Sequence, residues 1–120
     1  MGHVGESGWE VRVEERTAVV ELHRQLSLDD RASQRLYDAI STAVSGDVDR
    51  VVTLVEVEHP LSAGLHDVVR KGARTAAENG VTDWLVVAEH DSKGVAFERE
   101  ITGLDTAVVD DEDEARQRFA

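Results

Sequence analysis

The chain contains no cysteine, which removes disulfides, thiolate metal sites and a cysteine nucleophile together. Its only proline is Pro60, and no proline- or serine-rich stretch marks a linker. No apolar run approaches the roughly 18 residues of a membrane span. The opening Met1–Gly8 lacks the basic and apolar regions of a signal peptide. A soluble, cytoplasmic protein is therefore expected. Neither Gly-x-Gly-x-x-Gly nor Gly-x-x-x-x-Gly-Lys-Ser/Thr occurs, so a dinucleotide or P-loop site has no support, and no cofactor is expected. Aromatic residues make up only 4%, and Trp9 and Trp84 read as core anchors.

What is present is charge, mostly of one sign. Thirteen Lys and Arg stand against 25 Asp and Glu, a formal net charge of −12. Such a surface repels phosphate backbones and anionic headgroups, which argues against nucleic-acid and membrane-surface partners. Lysine is confined to Lys71 and Lys93. Acidic excess, scarce lysine, abundant Val and Ala and few aromatics together resemble proteins of salt-loving microbes. At molar salt the Debye length falls to about 3 Å, and a dense carboxylate surface stops repelling itself. With 41% hydrophobic residues over 120 positions, a packed core is within reach. Residues 1–8 read as a flexible leader, and 9–120 as one domain.

Periodicity supplies the elements. Trp9–Val13 alternates apolar and polar, as a half-solvated strand does, and Glu14-Glu15-Arg16 turns it into a second strand over 17–23. Ser27 stands where a helix cap is expected, and Ala32, Leu36, Ile40, Ala43 and Val44 recur at helical spacing before Gly46. Val51–Val57 and Trp84–Ala88 are apolar on both faces, the pattern of central strands covered by helices on each side. Between them, Leu65, Val68, Val69, Gly72, Ala73, Ala76 and Ala77 form a helical stripe that stops at Asn79-Gly80. A short helix at 94–102, a strand at 106–109 and a final helix opened by the acidic run 110–114 complete the order. The expected fold is α/β, β-β-α-β-α-β-α-β-α. Its mixed, mostly parallel sheet has about five strands, with helices on its faces.

This order resembles the STAS domain, the fold of anti-sigma-factor antagonists. The resemblance rests on Leu26-Ser27-Leu28-Asp29, on Pro60-Leu61-Ser62-Ala63-Gly64-Leu65 between a strand and a helix, on Asn79-Gly80 before Trp84–Ala88, and on Gly103-Leu104 and Asp111–Ala115. It covers roughly residues 9–119. It implies a non-enzymatic regulatory module that binds a protein partner, such as an anti-sigma-like kinase, and is switched by phosphorylation at Ser62. Leu61 stands where the family has an acidic residue. The tail is also similar to SpoIIAA-like members grouped with lipid-binding Sec14 folds, which implies a carrier of a lipid, nucleotide or anion as the alternative.

The candidate site residues gather around that turn: His59, Leu61, Ser62, Ala63, Gly64, Leu65 and His66. Ser62 follows a central strand and opens a helix, where α/β sheets bind ligands and a phosphate would meet unpaired N–H groups. The same position suits a plain helix cap. His66 lies one helical turn after Ser62, which raises a Ser/His hydrolase as a weaker alternative. No Gly-x-Ser-x-Gly elbow accompanies it. Glu56, Glu58, His59 and His66 have no recurring ligand spacing, so no metal is expected. Asp91-Ser92-Lys93-Gly94 reads as an ordinary loop or, with Ser92, Lys93 and a helix start, as a small anion-binding turn.

Overall fold

The computed structural model describes residues 3–6, 8–24, 26, 28–57, 63–88 and 91–119. Along the described chain run β1 (His3–Glu6), β2 (Trp9–Glu14), β3 (Thr17–Leu22), α1 (Asp30–Val44), β4 (Arg50–Val55), α2 (Ala63–Glu78), β5 (Asp83–Ala88), α3 (Asp91–Glu98), β6 (Asp105–Val109) and α4 (Glu112–Phe119). The strands form one mixed sheet in the sequential order β1-β2-β3-β4-β5-β6. The β1–β2 and β2–β3 pairs are antiparallel and the other three are parallel. The expected mixed α/β architecture is present, with one strand more. His3–Glu6, read from sequence as part of a flexible leader, pairs along β2 from His3↔Arg12 to Glu6↔Trp9.

Each βαβ step moves one strand in the same direction, and crossovers of one hand then place their helices on one side of the sheet. On that first face Ala18, Val20, Leu22, Val51, Val55, Trp84, Val86 and Ala88 pack against Leu36 and Ile40 of α1, Val68, Val69 and Ala73 of α2, and Phe97 of α3. Trp9 and Trp84 are both buried there, as expected of core anchors. Gly72 seats α2 tightly, since a Cβ would stand 3.3 Å from Ile40 and 3.6 Å from the Trp84 ring. The second face departs from the expectation of helices on both sides. There α4 covers only one end, through Ala115 against Val19, Val52, Leu54, Leu85 and Val109. Over β2 and β3 the cover is long charged side chains. Arg12 lies opposite Val19 and pairs with Glu14 at 3.2 Å and with Glu21. Its stem can shield an aliphatic neighbour while the charge stays near water. Burial works to lower the Arg12 pKa, but the hydrogen bonds to Glu21 and Glu14 prevail and hold it above the usual value.

The helix ends follow local chemistry. Asp29 caps α1 by accepting from the Ala32 N–H at 2.7 Å. That is the role expected of Ser27, which lies outside the described residues. Gly80, at φ +92°, ends α2 with Val81 N–H donating to Ala76 and Gly80 N–H to Ala77. Asp111 accepts from the Glu114 N–H at 2.7 Å to start α4. No helix among the described residues is long and apolar enough to cross a membrane.

Candidate functional site

In a parallel βαβ unit the crossover helices run back against the strands, so α1 and α2 both begin at the edge where β3 and β4 end. Their first turns therefore lie side by side. Between them is a shallow groove of about 190 Å³. One wall is Asp30, Ser33, Gln34 and Tyr37 of α1, and the other is Gly64, Asp67, Val68 and Lys71 of α2. Each wall is an i, i+3, i+4, i+7 stripe, the spacing that lines up one side of a helix. Tyr37 ties the walls together, its hydroxyl 2.9 Å from Thr75 Oγ1.

The expected site meets this groove in part. His59, Leu61 and Ser62 lie outside the described residues, as do Glu58 and Pro60. Ala63 opens α2 and is exposed, and Gly64 is half-buried in the groove wall. Leu65 is 2% exposed and belongs to the core. His66 turns to a neighbour that spacing along the chain does not pair with it. Its Nδ1 stands 3.7 Å from Oε1 of Glu100, while Arg70 Nη1 stands 3.6 Å from the other oxygen of that carboxylate. A separation of 3.7 Å is too long for a hydrogen bond, so Glu100 does not orient the imidazole as a hydrolase triad would require. The arrangement is an ion-pair cluster that joins the turn after α3 to α2. Asp67, paired with Arg70, extends it to the groove.

Asp30, Ser33, Gln34, Tyr37 and Glu100 escaped the sequence reading. For the four on α1 the one local signal is the polar stripe along that helix, which is also what any solvated helix face looks like; Glu100, in the turn after α3, has none. The Asp91–Gly94 stretch is a second departure. It forms the first turn of α3 rather than a loop, and Gly94 is packed against Val108 and Ala88.

A larger trough, about 470 Å³, lies on the second face. Val19, Val52 and Ala115 supply its apolar surface; Glu14, Glu15, Arg50, Glu112 and Arg116 supply charge. Arg116 is paired with Glu112 at 3.2 Å. No protein-family model and no curated protein matches this sequence.

Proposed function

We propose that the chain is a non-enzymatic regulatory module of STAS type that docks a protein partner across the first turns of α1 and α2. The size of the groove carries this reading. Pockets that enclose small molecules run to roughly 300–1,000 Å³, whereas about 190 Å³ accepts one side chain of a partner lying across the surface. Charge supports it. Helices α1 and α2 hold five basic residues (Arg31, Arg35, Arg70, Lys71, Arg74) and four acidic ones (Asp30, Asp38, Asp67, Glu78), net +1, in a chain of net −12. The groove itself is lined by Asp30, Asp67 and Lys71, so little of the chain's negative charge stands against a partner there. Phosphorylation at Ser62, two residues before Gly64, would add about −1.5 to −2 and reverse the sign of that balance. The switch is therefore electrostatic, exerted by an anti-sigma-like kinase.

The second reading, a carrier of a lipid, nucleotide or anion, is favoured by the volume of the trough beside α4. A photo-crosslinking residue placed at Gln34 and, separately, at Arg116 tests both. Docking predicts a protein adduct in host cells from Gln34 and not from Arg116, weakened more by Ser62→Asp than by Ser62→Ala. A small molecule retained by the intact chain in native mass spectrometry, displaced by substitutions at Val19 or Val52, would replace docking with carriage.

A further inference from the structure

The second face of the sheet bears a group of side chains that neither the groove nor the trough uses. Glu10 of β2 lies directly opposite Glu21 of β3 in the antiparallel register. His23 follows Glu21 by two residues, which on extended backbone returns it to the same face. One ligand atom from each of Glu10, Glu21 and His23 lies within 4.8 Å of the others, and all three residues are half-buried. The two carboxylates face one another across the strand pair, with Arg12 already beside Glu21. The imidazole distinguishes this cluster from the many exposed carboxylates of the chain, because it adds a nitrogen donor that binds transition metals.

We propose that Glu10, Glu21 and His23 form a binding site for a divalent transition-metal ion of the zinc type. Bonds of about 2.0–2.2 Å from one ion to N and O donors set donors about 3.4 Å apart in a tetrahedral site. Small rotations of two glutamates and a histidine reach that spacing from 4.8 Å. The backbone beneath is fixed. His23 N–H donates to Gly8 O at 2.9 Å, and Glu56 N–H donates to Leu22 O at 2.8 Å. Arg12 donates to Oε2 of Glu21, which holds that carboxylate in place and leaves it a second oxygen for the ion. One nitrogen and two carboxylate donors suit zinc, iron or manganese better than copper(I), which prefers sulfur. Three protein donors leave at least one position open to water or to a ligand.

Isothermal titration calorimetry of the full chain with zinc chloride, after chelator treatment, tests the site. One saturable equivalent is expected. His23→Ala and Glu21→Gln should each weaken it tenfold or more, and His66→Gln should leave it unchanged. Circular dichroism confirms that each variant is folded, and the His23 ring signals in NMR should shift with the first equivalent. No saturable binding, affinity unchanged from the parent chain in His23→Ala or Glu21→Gln, or loss of binding in His66→Gln would overturn the assignment.

Discussion

The indole N–H of Trp84 donates to the hydroxyl of Thr53 at 2.7 Å, and neither residue is exposed to water. Thr53 is a buried polar residue among Val51, Val52, Leu54 and Val55 of β4, and its hydroxyl satisfies a donor that the core would leave unpaired. Thr53→Val keeps the shape and removes the acceptor, which should cost about 1–3 kcal/mol. Thr53→Ser keeps the acceptor and should cost less, about 1 kcal/mol for the lost methyl. Urea midpoints at constant slope measure both. A Thr53→Val variant as stable as the parent would mean the bond does not form.

Gly94 and Val108 meet so closely that a Cβ on Gly94 would stand 2.5 Å from Val108 Cγ1. Alanine is favoured over glycine inside a helix by about 1 kcal/mol, but here the overlap dominates. Gly94→Ala should destabilise by about 1–3 kcal/mol. In a Val108→Ala background the same substitution should become nearly neutral. A double-mutant cycle in denaturant reads the coupling.

The parts of this fold that were legible in sequence are those whose pattern is local. Val51–Val55, with Thr53 its one polar step, and Trp84–Ala88 declare themselves as central strands by being apolar on both faces, and the stripe from Leu65 to Ala76 declares α2. His3–Glu6 has no such pattern, because an edge strand containing Gly5 takes its structure from the β2 backbone it pairs with. The sparse cover of the second face was equally hidden. It follows from the order of the strands, and no window of residues encodes that order. At the groove, Gly64 was named through the turn Pro60–Leu65 that carries the family resemblance, whereas Gln34 and Tyr37 became relevant only through the packing of α1 on α2.

The β2–β3 hairpin turns through Glu15 and Arg16, with Glu14 paired to Thr17. Glu15 sits at φ +57°, a conformation that costs a residue with a Cβ roughly 1–2 kcal/mol. Glu15→Gly relieves it at some cost in chain entropy, for a net gain of about 0.5–1 kcal/mol. Thermal melts of the two proteins should show the variant unfolding at the higher temperature. A lower midpoint would mean that the Glu15 side chain stabilises the turn.

The net charge of −12 should make stability depend on salt. Screening at 1 M weakens repulsion between exposed carboxylates. The melting temperature should rise by about 4 °C or more between low and molar sodium chloride, equivalent to about 1 kcal/mol. Circular dichroism melts across the series provide the test. A flat or falling midpoint would leave the arginine-rich, lysine-poor composition without a stabilising role.

Sequential strand order also governs how the chain finds its structure. Each strand pairs only with its neighbours in sequence, so no pairing waits on a segment from the far end of the molecule. The longest spans to close, from β3 to β4 and from β4 to β5, are equal in length, and α1 and α2 fill part of them with structure of their own. Closing such spans in turn costs less chain entropy than joining the two ends first. Assembly can therefore spread outward from β3, β4 and β5 to the two edges, β1 and β6, and a chain emerging from the ribosome can begin to pair before its last strand is made.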